Sequence, residues 1–149
     1  MDLTASASIL VDAPASVIFD ILADPHQHAR IDGSGMVQEI VDSPDRLSEG
    51  AQFTVSMKRG LGYRTRNTVV EYAEDRLIAW KHRGAHVWRY ELEPEGDRTR
   101  VTETWDGNAY RGPARPFFRF TVLKQTQRSI EESLANLREV AESDAVLRD

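Results

Sequence analysis

The sequence predicts an α+β fold in which a curved, antiparallel, seven-stranded sheet wraps around one long C-terminal helix. Between residues 36 and 106, turn-forming residues recur at short intervals and leave six strand-like segments, as antiparallel hairpins require. Residues 116–141 instead carry apolar side chains at the spacings of one helical face: Phe117, Phe120, Leu123, Ile130, Leu134, Leu137 and Ala141. A helix of about 26 residues is roughly 39 Å long, and seven strands are roughly 29 Å across. One helix can therefore cross the whole sheet.

The first 35 residues predict a strand, one or two helices and a flexible connection. Residues 3–11 alternate loosely and indicate the first strand. Pro14 suits the first position of a helix, and Pro25 ends it. Between them lies one apolar stripe, made of Val17, Ile18, Ile21 and Leu22. Residues 25–31 predict a short second helix or turn, and the Asp-Gly-Ser-Gly run at 32–35 predicts a flexible link.

Six strands are predicted next, at residues 36–42, 52–57, 63–72, 77–82, 87–93 and 100–106, before a Gly/Pro-rich loop at 107–116. Alternate residues of a strand point to opposite faces of the sheet. By this rule four aromatic residues share the face that meets the helix: Trp80, Trp88, Tyr90 and Trp105. The strand at 63–72 is ambiguous, because Val69 and Val70 are both apolar.

Composition excludes several functional classes. The chain has 149 residues and is most simply one domain spanning 1–149. Its net charge of -5 argues against broad nucleic-acid binding. It has no cysteine, which rules out disulfides, thiolate catalysis and cysteine-ligated metal. No apolar run reaches the roughly 20 residues of a membrane span, and the N-terminus lacks the pattern of a signal peptide. We therefore expect no stable membrane insertion and a cytoplasmic location; the oligomeric state stays open.

The element order β-α-α-β6-α and one N-terminal motif resemble the helix-grip superfamily. The motif is Val-Asp-Ala-Pro-Ala-x-x-Ile-Phe-x-x-Leu-Ala-Asp-Pro at residues 11–25. The superfamily includes START domains, birch-pollen-allergen-like proteins and polyketide cyclase/dehydrase-like proteins. Residues 67–72, 76–80 and 99–104 are typical of the small bacterial polyketide cyclase/dehydrase group. Many members carry a tryptophan after the first helix, where this chain has Arg30 and Ile31.

The resemblance implies a hydrophobic cavity that holds a lipid, a sterol, a polyketide or a similar ligand. Some relatives do chemistry in that cavity, and many only bind. The expected lining combines the inward aromatic residues with two from the helix: Trp80, Trp88, Tyr90, Trp105, Phe117 and Phe120. We expect an opening near the loops at Gly33 or Gly112. The alternative is that these side chains pack a solid core, as aromatic residues usually do between a sheet and a helix.

Three side chains are candidates for chemistry in such a cavity. Alternation places Glu103 on the inner face, together with Val101 and Trp105. A buried carboxylate must be paired, or its pKa rises towards the value that a general acid or base needs. The alternative is that Glu103 lies at the strand end or pairs with an arginine across the sheet. The Tyr90 hydroxyl either donates a hydrogen bond to a ligand carbonyl or finds its hydrogen-bond partner within the core. His82 shares its face with Trp80 but borders the turn at 83–85, where exposure is common.

Other motifs predict no metal and no cofactor. The Asp-Gly-Ser-Gly run at 32–35 lacks the Lys-Ser/Thr of a phosphate loop. His26-x-His28 and His82-x3-His86 are possible metal pairs, but neither has a convincing third ligand in the sequence. There is no Gly-x-Ser-x-Gly elbow.

Two functions remain. The favoured one is binding of a hydrophobic or amphipathic small molecule, because no acid–base pair occurs at a fixed spacing. The alternative is a cofactor-independent cyclase or dehydratase in which Glu103, helped by Tyr90 or His82, moves protons on a carbonyl compound. Three arginines around the start of the helix either meet an acidic head group or are simply solvated: Arg111, Arg115 and Arg119.

Overall fold

A computed structural model describes residues 2–82, 84–113 and 115–148, without the side chains of Arg59 and Phe118. The strands are β1 (Thr4–Val11), β2 (Val37–Asp42), β3 (Gln52–Arg59), β4 (Leu61–Ala73), β5 (Leu77–Lys81), β6 (Val87–Glu95) and β7 (Arg98–Asp106). The helices are α1 (Ala15–Leu22), α2 (His28–Ile31) and α3 (Arg115–Arg148), and a 3-10 turn (Pro25–Gln27) precedes α2. The predicted α+β class and element order are confirmed.

The seven strands form one antiparallel sheet in the order β1-β7-β6-β5-β4-β3-β2. Consecutive strands from β2 to β7 are neighbours, and β1 completes the edge beside β7. The first and last strands of the chain therefore pair, with Thr4 opposite Asp106 and Val11 opposite Thr99. This closure brings α1, which follows β1, against the same sheet that α3 crosses.

The register brings the predicted aromatic residues onto one face. Trp88 lies between Trp80 on β5 and Trp105 on β7. Tyr90, two residues further along β6, lies opposite Glu103. The ambiguous strand is resolved by an irregularity in β4 after Val69, where the pairing with β5 shifts. Val69 is 1% exposed, whereas Val70 is 36% exposed.

Helix α3 has 34 residues and continues beyond the predicted end at residue 141. Its second half packs tightly: Ile130, Leu134, Leu137 and Ala141 are at most 2% exposed. Burial of such side chains is the main stabilising contribution to the core. The same core contains the inner face of α1, including Ile18, Phe19 and Leu22.

The link between α2 and β2 touches α3 backbone to backbone. Gly33 N–H donates to Ser133 Oγ at 2.8 Å. A Cβ at Gly33 would lie 2.4 Å from the Ser129 carbonyl oxygen and 2.6 Å from Ser133 N. Only glycine allows this approach, which holds the loop against the middle of the helix. Among the helices of the described residues, none has the length and apolarity needed to span a membrane.

Candidate functional site

A cavity of about 650 Å³ separates the concave face of the sheet from the first half of α3. It exceeds the smallest typical ligand pockets, which are about 300 Å³. Its walls are mainly apolar, with Ile31, Met36, Val37, Phe53, Val55, Met57, Trp80, Trp88, Phe117 and Val122. Tyr63, which is 46% exposed, and Phe117, which is 65% exposed, lie at its open end.

The cavity exists because α3 changes its inward side chains along its length. Its first half faces the cavity with small or polar side chains: Thr121, Gln125, Thr126, Ser129 and Ser133. Val122 and Leu123 are only partly buried, and the fully buried aliphatic side chains of α3 begin at Ile130. Sequence reasoning missed this polar stripe, although the spacing of four residues between 121, 125, 129 and 133 was available to find it.

Glu103 lies on the cavity wall with only 3% of its surface exposed. The hydroxyl of Tyr90, its cross-strand neighbour, donates a hydrogen bond to the carboxyl group. Within the described part of the chain, no group donates to the buried Oε1 atom. Burial raises the pKa of Glu103 to about 8, against the effect of the Tyr90 hydrogen bond. The carboxyl is therefore mostly protonated at neutral pH.

A second carboxyl group, Asp32, lines the same cavity. It caps the link between α2 and β2, where it accepts from Ser34 N at 3.1 Å, Ser34 Oγ at 2.7 Å and Val37 N at 2.9 Å. Its negative charge contributes to the raised pKa values of Glu103 and Tyr90, in which burial is the largest cause. Sequence reasoning assigned Asp32 only to a flexible link, because residues in a short loop carry no periodicity that reveals their direction.

His28 is turned inwards from the four-residue helix α2 and is 7% exposed. Its Nε2–H donates to the carbonyl oxygen of Leu22 at 2.8 Å, and its ring stacks on Trp80 with centroids 4.8 Å apart. Burial lowers the pKa of His28, so the ring is neutral at pH 7. His26 does not join it: its ring lies at the surface, 3.2 Å from Asp24. The two residues therefore form no metal pair.

His82 and His86 meet beside the cavity. Their Nε2 atoms are 3.0 Å apart, and His86 Nδ1 lies 2.8 Å from the Tyr110 hydroxyl. Burial lowers the pKa of His86 to about 4, with a smaller contribution from the charge of His82. Both histidines line the cavity. Among the described residues, no group of three His, Cys, Asp or Glu side chains is arranged to hold a metal ion.

Most of the predicted site residues surround the cavity, but two do not. Trp80, Trp88, Tyr90, His82, Glu103 and Phe117 all line it. Trp105 is 5% exposed and shares their face of the sheet, yet it lies behind His86 and Tyr110, whose ring centroids are 5.3 Å and 6.4 Å from its own. The loop after β7 thus covers Trp105, and strand alternation cannot reveal such a cover.

Phe120 also differs from its expected position, since it is 81% exposed and does not line the cavity. At about 100° per residue, position 120 lies on the opposite side of an α-helix from position 129. Because Ser129 faces the cavity, Phe120 must face away. The apolar face predicted for α3, which included both Phe117 and Phe120, was therefore wider than the face that meets the sheet.

The arginines near the start of α3 hold the preceding loop. Arg111 and Arg115 both donate to the carbonyl oxygens of Asn108 and Tyr110. Neither lines the cavity, and Arg119 is exposed on the helix surface. Because Arg111 and Arg115 bind this loop, their positions need no acidic ligand to account for them.

A family model described as polyketide cyclase/dehydrase and lipid transport matches residues 2–142. Protein Rv0088 of Mycobacterium tuberculosis is 38% identical over 138 residues, which cover 89% of this chain and 61% of that protein. The chain thus spans about three fifths of the length of that relative.

Solved structures share the fold at low sequence identity. A protein from Arthrobacter aurescens superposes with a TM-score of 0.76 at 15% identity, over 95% of this chain and 87% of that one. Protein NE0264 from Nitrosomonas europaea superposes with a TM-score of 0.73 at 13% identity, over 97% of both chains. The predicted helix-grip architecture is confirmed.

Proposed function

The chain belongs to the polyketide cyclase/dehydrase and lipid transport family, and we propose that it encloses one hydrophobic or amphipathic small molecule between its sheet and helix α3. The ligand belongs to the lipid, sterol or polyketide-like class. Its apolar part packs against Trp80, Trp88 and Phe53, and its polar group lies near Glu103.

The observation that carries this proposal is the Glu103 Oε1 atom on the wall of the 650 Å³ cavity, which has no hydrogen-bond partner among the described residues. A buried polar atom without a partner costs about 1–3 kcal/mol. A polar group on a ligand removes that cost, because it supplies the missing hydrogen bond. The apolar wall adds about 25 cal/mol for each Å² of apolar ligand surface that it shields from water.

Titration with Nile red, a neutral apolar dye, tests this proposal. We expect saturable dye fluorescence with one site per chain, and quenching of tryptophan emission through Trp80 and Trp88. Thr126→Trp should abolish binding because it fills the cavity. Lys124→Trp is the matched control, since Lys124 is exposed and does not line the cavity. Equal dye binding by both variants would contradict the proposal.

A second candidate function is catalysis in the same cavity. It is favoured by one observation: Glu103 has a pKa of about 8 and is hydrogen-bonded to Tyr90. A carboxyl group that is protonated at neutral pH can deliver a proton to the oxygen of a bound carbonyl or hydroxyl group. For a cyclase or dehydratase, Glu103→Gln should lower turnover by about 10²–10⁴ and leave ligand affinity nearly unchanged. Unchanged turnover would exclude Glu103 as the acid or base.

A further inference from the structure

Carboxyl groups are present in the described lining of the cavity, but permanently charged basic side chains are not. Asp32 and Glu103 are its two carboxyl groups, and among the described residues that line it none is a lysine or an arginine. Burial lowers the pKa values of His28 and His86, which disfavours a positive charge on either imidazole. The third lining histidine, His82, is already engaged by His86, since their Nε2 atoms are 3.0 Å apart. The side chains that α3 contributes to the lining are uncharged.

The aromatic walls around these carboxyl groups suit a cation. The faces of tryptophan and tyrosine rings attract organic cations, by about 0.5–2 kcal/mol for each close contact. The ring of Trp80 is packed between His28, at 4.8 Å, and Tyr90, at 5.8 Å, so these rings form the back of the wall. Trp88 is the cross-strand partner of Trp80 and lines the same space. The unpartnered Glu103 Oε1 atom is therefore held within an aromatic wall.

We propose that the ligand is an amphipathic organic cation, an amine or quaternary ammonium compound with an apolar tail. Its head lies near the Glu103 and Asp32 carboxyl groups and the ring of Trp88. Its tail follows the apolar wall towards Met57, Tyr63 and Phe117 at the open end. This inference rests on the proposed binding function and names the chemical class of the ligand.

The charges in the cavity favour a cationic ligand over an anionic or a neutral one. An anionic head group would place a second negative charge beside Asp32, in a site without lysine or arginine among its described lining residues, so a fatty acid should bind poorly. A neutral alcohol or ketone can hydrogen-bond to Glu103, but it leaves the charge of Asp32 unmatched. Of the three classes, the cation is the one whose charge is opposite to that of Asp32 and of ionised Glu103.

Cation binding should be coupled to the ionisation of Glu103. Without ligand its pKa is about 8, so the group is mostly protonated at pH 7. Tyr90 on β6 and Asp32 act on its ionisation, and the other titratable groups in the described lining are His28 on α2 and the His82–His86 pair. Ala7, opposite Glu103 on β1, does not titrate. A bound cation favours the carboxylate, so binding at pH 7 releases a proton. The affinity should rise about tenfold from pH 7 to pH 9.

Isothermal titration calorimetry with three decyl compounds tests the inference. Decyltrimethylammonium stays cationic at every pH, decan-1-ol is neutral, and decanoate is anionic. For the wild-type protein at pH 9, we expect the cation to bind at least about tenfold more tightly than the alcohol, and decanoate to bind most weakly. At pH 7, measurements in phosphate and in Tris should show release of nearly one proton per cation bound.

Glu103→Gln should weaken cation binding at pH 9 by about tenfold or more and abolish proton release, with alcohol binding little changed. Glu91→Gln is the matched control, because Glu91 is exposed and does not line the cavity. Proton release from wild-type protein tests the inference even if the variant does not fold. Alcohol or decanoate binding as tightly as the cation would overturn the ligand class and leave the cavity function standing. Failure of all three compounds and of Nile red would overturn both.

Discussion

The two halves of helix α3 face the same sheet, but one packs against the core and the other borders the cavity. From Ile130 onwards its inner side chains are aliphatic apart from Ser133, and Ile130, Leu134, Leu137 and Ala141 are at most 2% exposed. Before Ile130 the inner side chains are threonine, glutamine and serine, apart from Phe117 and Val122, and a cavity of about 650 Å³ separates them from the sheet. No break in the helix marks the boundary.

This difference shows how one continuous helix supports both stability and binding. The second half supplies buried apolar area, which stabilises the fold. The first half presents mainly small or polar side chains, and the cavity lies between them and the aromatic residues of the sheet. Mutations in the two halves should therefore separate folding from binding.

Leu134→Asp should give the largest effect, because it buries an unpaired charge in the packed half. We expect a loss of unfolding free energy of several kcal/mol, about 4 or more, measured by urea denaturation. Ala135→Asp, on the exposed side of the same turn, is the control and should stay within about 1 kcal/mol of wild type. A near-wild-type Leu134→Asp protein would overturn the assignment of this half to the core.

Glu103→Gln should change the pH dependence of stability. The pKa of Glu103 is about 8 in the folded state, against an ordinary pKa of 4.5 for a glutamate. Above pH 4.5 the folded state holds a proton that the unfolded state has lost, so rising pH destabilises the folded protein until the pH passes 8. Wild type should therefore lose on the order of 3 kcal/mol between pH 5 and pH 8 that the variant does not lose.

Denaturation curves of both proteins at pH 5, 6, 7 and 8 measure this difference. The expected result is that the unfolding free energy of the variant rises steadily relative to that of wild type as the pH rises. Parallel curves across the whole range would mean that Glu103 titrates normally, and that the cavity does not bury a carboxyl group.

Gly33→Ala should disturb the contact that holds the α2–β2 link against the middle of α3. The new Cβ would meet backbone atoms of Ser129 and Ser133 at 2.4 Å and 2.6 Å, which cannot move aside without shifting the helix. We expect a loss of about 1–3 kcal/mol in unfolding free energy. At Gly62 a Cβ meets its nearest atom at 3.7 Å, so Gly62→Ala should change stability by less than about 1 kcal/mol. Equal effects would show that the link does not press on the helix.

Phe117→Ala and Phe120→Ala should give the smallest effects and differ only in binding. Phe117 lines the open end of the cavity, whereas Phe120 is 81% exposed on the other side of the helix. Nile red affinity should fall about two- to tenfold for Phe117→Ala and stay unchanged for Phe120→Ala. The reverse order would place the opening of the cavity on the wrong side of α3.

The fold could be predicted because its signals are local and repeated. Turn residues divide residues 36–106 into strands, and alternation within each strand places Trp80, Trp88, Tyr90 and Glu103 on one face. The end of α3 was predicted too early, because residues 142–148 continue the helix with little burial to mark it. The sequence could not predict which face Val69 occupies, because that depends on the irregularity in β4, which is a property of its pairing with β5.

The site could be predicted only in part, because several of its contacts join distant segments. Strand alternation predicted that Glu103 points inwards, but it gave no sign that His86 and Tyr110 cover Trp105. His28 lies in a helix of four residues, which is too short to show a periodic face. Asp32 lies in a loop. The polar stripe of α3, in contrast, was visible in the sequence and was overlooked among the apolar positions.

Native mass spectrometry of protein purified from cells, followed by organic extraction, tests the central claim most directly. The account predicts one small molecule per chain in wild-type and Lys124→Trp protein, recovered in the organic extract, and none in Thr126→Trp protein that remains folded. A ligand carried equally by the Thr126→Trp variant would contradict the claim that the space under the first half of α3 is the binding site.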